Sequence, residues 1–465
     1  MATVITSPTY DPVTTATNLA NSYVAPTKTL LDAQSTKAKA NTAALTTLGS
    51  ALSAFQTAMA TLSSGTKTVS ANTAAFSNTA IASGTATSKA TSGTYSFYVQ
   101  QLATAGQVSY NVADSSATNP GAFKVALGDG STFDVSLTAA DSDGNGTLTA
   151  KEIAAAVNAA AGNNSRVTAS TMTVNGNTQL VLTSANTGTA NAVASLDTTG
   201  VNNPALATAL SGKTTLAAAS NAIMWVGAKD TGTKIEQASN TFSVVDGVSF
   251  TVKQAQGASD APVVMTVGAD SSATAANVQS FVDAYNTLLG VYSKVTAVGD
   301  AASGTASAAL AGDSAVKSLR EQLNTALRTA TGGQSLISFG ITANRDGTLS
   351  LDSGRLAKAV AANPEGLDKL FGRATTLGLG DSGVMGTMNK IVSTWTSSVN
   401  GVLGARKDAN AKLQTDITKR LATLETQFNN AYQRYLAQFT ALQQMQSSMT
   451  NTSNLFTALF SSESS

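Results

Sequence analysis

The sequence predicts an α+β protein. Paired N- and C-terminal helices form a coiled-coil or helical-bundle leg, and two β-rich head domains are inserted between them. Three observations predict this. First, the chain from Ala405 to Ser465 contains no glycine or proline and repeats an apolar residue every four then three positions. Its stripe is Ile417, Leu421, Leu424, Phe428, Ala431, Tyr435, Gln438, Leu442, Met445, Met449, Thr452, Phe456 and Leu459, interrupted only by Gln438 and Thr452. A sustained 3.5-residue period keeps one face of a helix toward a partner helix. Second, the same rule near the other end gives Leu31, Gln34, Ala38, Asn41, Leu45, Leu48, Leu52, Phe55, Met59 and Leu62, weak at first and strong later. Third, strand alternation and hairpin turns fall only between these two stretches.

A continuous C-terminal helix would be about 90 Å long at 1.5 Å per residue, too long to bury its seam alone. Pairing the two ends as a stalk, with the middle carried at its tip, satisfies both seams. The competing arrangement is two independent amphipathic helices on separate cores, which a 3.6-residue period would favour.

Residues 1 to about 25, with Pro12 and Pro26, read as flexible, with a short helix around Thr14–Val24. The first long helix is expected over Thr27–Leu62, stopped by Ser63-Ser64-Gly65. Thr66–Gly93 reads as extended strands. Tyr95, Phe97 and Val99 alternate on one strand. Phe123–Leu127 and Phe133–Leu137 flank Gly128-Asp129-Gly130, a helix follows over Thr149–Ala161, and strands around Val167 and Leu180 flank the Asn175-Gly176 turn. These form a ββαββ unit. After a loose Ala/Asn/Gly segment, strands resume at Ile223–Val226, Thr241–Val245, Val248–Lys253 and Val263–Val267.

Helical spacing returns at Ala273 with Val278, Phe281, Tyr285, Leu288, Tyr292 and Val295. Asp313 caps the next helix, Arg345-Asp346-Gly347 turns a small hairpin, Asp352 caps a short helix, and Asn363-Pro364 opens another ending at Phe371. Residues 373–387 link to a helix near Met388–Val399, and Gly401 and Gly404 separate that from the rod. The expected domains are therefore 1–40 with 400–465 (terminal coiled coil), 41–70 with 270–399 (helical leg with a hairpin), 71–110 with 213–269 (first head) and 111–212 (second head).

Charged residues make up 12% of the 465 residues, about half the usual share, and Ala, Thr, Ser and Asn fill the gap. A net charge of +1 offers no electrostatic case for nucleic acid or an anionic membrane surface. No stretch approaches the ~20 apolar residues of a membrane span. With no cysteine there are no disulfides or thiolate metal sites, and with no histidine the commonest general base is missing. The first residues lack a basic region followed by an apolar core, so no ordinary secretory signal is expected. The Thr/Ser/Asn-rich surface reads as extracellular fibre or adhesin material. Catalysis is not expected, and Arg406, Lys407, Lys419 and Arg420 read as solvated flanks of the seam.

One local motif carries chemistry. Asp141-Ser142-Asp143-Gly144-Asn145-Gly146-Thr147-Leu148-Thr149-Ala150-Lys151-Glu152 has the spacing of a twelve-residue calcium loop. Asp141, Asp143, Asn145, Thr147 and Glu152 supply hard oxygen donors, and Gly146 permits the tight turn. A helix follows, but a strand precedes, so this is half a hand. The alternative is a metal-free turn in which Thr149 caps the helix and Glu152 completes a capping box. No cofactor is required; a structural Ca2+ is the ion the loop would take.

Three ordered blocks resemble the flagellar hook-associated protein 2 family, the caps of flagellar filaments. They are Leu48-Gly49-Ser50-Ala51-Leu52-Ser53-Ala54-Phe55-Gln56 with Gly93-Thr94-Tyr95-Ser96-Phe97 and Val99-Gln100-Gln101-Leu102-Ala103; Val278–Leu289 around Phe281-Val282-Asp283-Ala284-Tyr285-Asn286; and Leu310-Ala311-Gly312-Asp313-Ser314 with Gly340-Ile341-Thr342 and Gly347-Thr348-Leu349-Ser350-Leu351-Asp352. The family often opens with Gly-Ser-Gly-Leu-Asp; here Ser7-Pro8-Thr9-Tyr10-Asp11 stands in its place and only the Asp matches.

The resemblance implies a non-enzymatic homo-oligomer, often a pentamer, exported unfolded through the flagellar channel with the help of an export chaperone. It would sit at the distal tip of the filament, its legs on the filament and its heads forming a plate, and would help flagellin fold and insert. The seam residues expected to serve this are Leu45, Leu48, Leu52, Phe55, Ile417, Leu421, Leu424, Phe428, Tyr435 and Leu442. Leu45, Leu48 and Leu52 are the expected type of partner for Leu424, Phe428 and Tyr435. The alternatives are another exported axial component, such as flagellin or a junction protein, or a calcium-dependent adhesin for host glycans.

Overall fold

A helix of 52 residues, α1 (Pro12–Ser63), opens the structure. Asp11 caps it: its carboxylate accepts the N–H groups of Thr14 at 2.8 Å and Val13 at 3.3 Å. The computed structural model describes residues 11–63, 67–328, 333–372 and 383–462. The break expected near Pro26 is absent, and α1 runs through it. An interior proline costs about 3 kcal/mol. Val24 and Leu31 on either side are buried against the C-terminal helix, and burying each contributes roughly 1.5–3 kcal/mol, which offsets that loss.

The chain divides into two units, residues 65–274 and residues 1–64 with 275–465. The first is built on β-strands. Its elements are β1 (Asn72–Phe76), β2 (Ala82–Ala86), β3 (Gly93–Gln101), β4 (Gln107–Asn111), β5 (Ser115–Ser116), β6 (Ala122–Leu127), β7 (Thr132–Ser136), β8 (Thr147–Leu148), α2 (Ala150–Ala159), β9 (Val167–Val174), β10 (Asn177–Ser184), β11 (Val193–Asp197), α3 (Pro204–Ser211), β12 (Lys213–Ala217), β13 (Ala222–Val226), β14 (Thr233–Gln237), β15 (Thr241–Val245), β16 (Val248–Val252) and β17 (Val263–Ala269).

An eight-stranded antiparallel sheet has the order β14-β13-β3-β17-β1-β2-β16-β15. Its two outer strands, β14 and β15, are joined by only three residues, so the sheet curls until its ends are within reach of that link. Phe97, Phe242, Phe250, Met224 and Met265 fill its core, with the Phe97 and Phe250 rings 4.8 Å apart. A second core lies between a four-stranded sheet, β12-β4-β10-β9, and a three-stranded sheet, β11-β6-β7. It contains Tyr110, Phe123, Phe133, Ile153, Leu180, Leu182, Leu206 and Leu210.

The ββαββ unit is present, although its two hairpins lie in different sheets. The head boundaries expected at 110/111 and 212/213 need correction. The first cuts β4, and β4 and β12 both belong to the second head's sheet. The segment read as loose carries β11 and α3, the latter capped by Asn203, whose carboxamide oxygen accepts from Ala205 and Leu206. Strand β14, Thr-Lys-Ile-Glu-Gln, was also missed.

The second unit adds α4 (Ser271–Thr296, from Ala275 onward), α5 (Ser314–Arg328), β18 (Ile341–Ala343), β19 (Leu349–Leu351), α6 (Ser353–Ala362), α7 (Gly366–Phe371), α8 (Gly383–Thr396) and α9 (Val402–Ser462). Asp313 and Asp352 cap α5 and α6 as expected. Phe55 packs on Phe281, and Phe281 meets Phe371 edge-on at 5.1 Å. The Asn286 carboxamide acts as a third strand for the β18–β19 hairpin: it accepts from Leu349 N–H at 2.7 Å and donates to Leu349 C=O at 2.9 Å. Gly404, expected to precede the rod, lies inside α9. The first ten residues of the expected 373–387 linker lie outside the described residues.

Candidate functional site

The paired ends are built residue by residue along α1 and α9, which run antiparallel. Close to the start of α9, Gly49 leaves room for Leu403; a Cβ at 49 would stand 3.2 Å from Leu403 Cδ1. Arg406 pairs with Asp313, so it is not a solvated flank as expected; the same carboxylate caps α5. Next comes a polar layer. Asn410 Nδ2 donates to Ala38 O and Thr42 Oγ1, each at 2.6 Å, and Gln414 Nε2 donates to Thr42 Oγ1 at 3.0 Å. Beyond it, Leu31 and Val24 bury against Ile417 and Leu424, with Leu421 and Phe428 partly buried beside them. Phe428 stacks on Tyr432, the rings 6.3 Å apart. Ala16 and Ala20 of α1 are fully buried, as is Ala431 of α9.

The predicted seam residues divide into three groups. Ile417, Leu421, Leu424 and Phe428 face α1, and Tyr435 is half-buried. Leu45, Leu48, Leu52 and Phe55 are buried, but their expected partnership with Leu424, Phe428 and Tyr435 is corrected. Leu48 lies with Tyr285, Leu288, Leu289, Leu319 and Leu323 of α4 and α5, and Phe55 with Phe281 and Tyr285. The strong half of the α1 seam serves this helical core, and its weak half pairs with α9. Leu442 is 41% exposed and Met445, Met449 and Phe456 more so, on the part of α9 that no described residue of α1 reaches. Sequence reasoning missed Asn410, Ala16, Ala20 and Val24. The four-residue spacing of Pro12, Ala16, Ala20 and Val24 was a usable signal, masked by the weight given to Pro26.

The acidic loop closes between β7 and α2. Asp141, Asp143 and Glu152 bring one carboxylate oxygen each within 4.8 Å of one another, the sole such cluster among the described residues. Asn145 contributes its side chain to the turn by accepting from Thr147 N–H at 2.7 Å. Asp141 accepts from the N–H groups of Asn145 and Gly146, and Gly146 takes the left-handed conformation at φ 77° that the turn requires.

Glu152 is the anchor. One of its oxygens accepts from Thr149 N–H at 3.0 Å and Thr149 Oγ1 at 2.9 Å; the other accepts from Ser142 N–H at 3.0 Å. The Thr149 and Ser142 donors, Thr149 first, hold its pKa down to about 2. Thr149 also accepts from Glu152 N–H, completing the capping box. The oxygen donors suit a hard cation in chemistry, and the same oxygens already serve the turn.

Two family profiles match the chain: the flagellar hook-associated protein 2 N-terminus over residues 9–106 and the C-terminus over residues 219–451. A lateral flagellar hook-associated protein 2 from Vibrio parahaemolyticus is 32% identical over 379 residues, covering 80% of this chain and 82% of that one. A B-type flagellar hook-associated protein 2 from Pseudomonas aeruginosa is 32% identical over 436 residues, covering 89% and 88%. The crystal structure of the D1-D2-D3 domains of the flagellar cap protein FliD from Escherichia coli aligns with a TM-score of 0.60 at 26% identity, over 79% of this chain and 99% of that one. Terminal helices that pack on one another, with β-rich domains between them in sequence, are thus matched at the level of sequence and of fold, and the chain belongs to the flagellar hook-associated protein 2 family.

Proposed function

We propose that this protein caps the distal end of a flagellar filament as a homo-oligomer, retains exported flagellin there and promotes its folding and insertion. We take it to reach that position unfolded, through the flagellar export channel, with an export chaperone. Family membership gives the cap role its footing. The observation that carries the attachment mechanism is the part of α9 beyond its partner. Past Ala431 the helix continues for about 30 residues, and Leu442, Met445, Met449 and Phe456 are exposed along it. Exposed apolar residues repeated on one helix mark an interaction surface.

The test is genetic. A strain lacking the gene should lose swimming and release flagellin into the medium, and the wild-type gene should restore both. A gene carrying Phe428→Asp, which puts a charge into the α1–α9 seam, should restore neither, whereas Gln427→Asp should restore both. Normal swimming of the Phe428→Asp strain would refute the role given to the helix pair. We further propose the Asp141–Glu152 loop as a candidate structural Ca2+ site, non-catalytic in either case.

A further inference from the structure

The four-stranded sheet β12-β4-β10-β9 has two open edges that match each other. Along β9, Val174 faces Asn177 across a two-residue turn, so Val174, Met172 and Ser170 bond to β10 while Val167, Ala169, Thr171 and Thr173 turn their backbone outward. Two of these outward groups are closed by carboxamides. Asn163 pairs with both N–H and C=O of Val167, at 2.9 and 2.8 Å, and Asn158 does the same for Ala169, at 2.8 Å each. Thr171 and Thr173 receive no such cover among the described residues, and the whole stretch 170–178 is exposed.

At the far edge the same alternation applies. Leu180 bonds toward Tyr110 on β4, so Ser109 bonds toward Thr214 on β12, and Lys213 and Thr215 face outward. All five residues of β12 are exposed. Each edge therefore offers two outward residues spaced by two.

Exposed edges usually carry guards, such as charges. Edge β7 has Asp134, β11 has Asp197, and β14 has Lys234 and Glu236; β9 has no charge at all, and neither does β15, the outer strand that the three-residue link ties to β14. The single charge on β12, Lys213, is turned away, its Nζ donating to Ala194 O at 2.7 Å. The direction also fits. Successive antiparallel pairings make β9 and β12 run in opposite senses. The β9 of one copy beside the β12 of the next would continue the alternation without a break.

We propose that the second head is a head-to-tail contact between copies of this chain, in which Thr171 and Thr173 of β9 pair with Lys213 and Thr215 of β12 in the neighbouring copy. This rests on the homo-oligomeric cap reading and names one of its interfaces. A heterologous contact of this kind builds a ring when its rotation closes.

Sedimentation velocity of the full-length protein tests it. Wild type should form species larger than a dimer. Thr173→Pro and Thr215→Pro each remove an outward N–H and spare the internal ladder, and each should raise the concentration for assembly at least tenfold. An equimolar mixture of the two should recover dimers and nothing larger, because each variant keeps the edge that the other lacks. Wild-type assembly with unaffected variants would overturn the contact and leave the cap reading standing. A Thr215→Pro protein that dimerises alone would overturn the head-to-tail pairing. A wild type that stays monomeric would overturn both readings. If a proline variant fails to fold by circular dichroism, Thr173→Lys and Thr215→Lys, which keep every N–H and add a guard charge, decide the matter in the same assay.

Discussion

Leu31→Ala is the most direct probe of the paired ends. Leu31 is 1% exposed and packs in one cluster with Val24, Ile417 and Leu424. Removing a buried leucine side chain loses its transfer free energy and leaves a cavity, together about 2–5 kcal/mol. This site is a two-helix seam with an open groove beside it, lined by Val24, Leu421, Leu424 and Phe428. Water and neighbouring side chains fill part of the space, which places the expected cost near the low end, about 2 kcal/mol. Leu442→Ala makes the same chemical change on the same helix at a residue 41% exposed, where surface substitutions stay within roughly 0.5 kcal/mol. Urea unfolding followed by far-ultraviolet circular dichroism gives both values, provided the slope is unchanged between variants. An equal cost at the two positions would mean that α9 is packed well beyond the start of α1. A cost below about 0.5 kcal/mol for Leu31→Ala would mean that the two helices do not bury this layer together.

Three further outcomes are expected. Glu152, held at about pKa 2 when folded against an ordinary value of 4.5, stabilises the second head fully above its ordinary value and loses that contribution as pH falls from there toward 2; thermal melts from pH 7 to 2 should show the loss, and Glu152→Gln should flatten it. Calcium should raise the melting temperature of wild type but not of Glu152→Gln, and a calorimetric titration without heat would leave the loop as a metal-free turn. Asn286→Ala removes both bonds to Leu349, and with a net value of about 0.5–1.5 kcal/mol for each it should destabilise the protein by roughly 1–3 kcal/mol, whereas Asn286→Asp, which can accept but not donate, should recover part of that.

Much of the architecture was legible because a 3.5-residue seam and a two-residue alternation are statements about which face is buried. The hairpins at Asn175-Gly176 and Arg345-Asp346-Gly347 and the caps Asp313, Asp352 and Thr149 were legible for the same local reason: their chemistry lies within a few residues. What was not legible depended on distant partners. Pro26 obeys its local rule in most chains and is overruled here by Val24 and Leu31. The fate of Leu442 turns on where α1 begins, which the α9 seam alone does not encode. Strand β14 lacks an apolar alternation because its role is to close an edge with Lys234 and Glu236. The loop at Asp141–Glu152 reads equally well as a calcium loop or a capped turn, since both need the same oxygens at the same spacing.

The composition of α9 beyond the pair bears on how the cap would hold a filament. From Tyr435 to Ser462 the helix contains no charged residue. It therefore lacks the i,i+4 ion pairs that support an exposed helix on its own. Serine, threonine and asparagine, abundant between Ser447 and Ser453, are weak helix formers. Most helical stability in proteins comes from packing of an apolar face rather than from propensity, so the free energy of this segment must come largely from packing that the α1 pairing does not supply. A surface without charge also does not select a partner by sign; it selects by the spacing of Leu442, Met445, Met449 and Phe456. Such a surface suits another helix with the same 3.5-residue period and little charge. In the cap reading, attachment strength should then vary little with salt, since screening weakens charge pairs and leaves apolar burial intact.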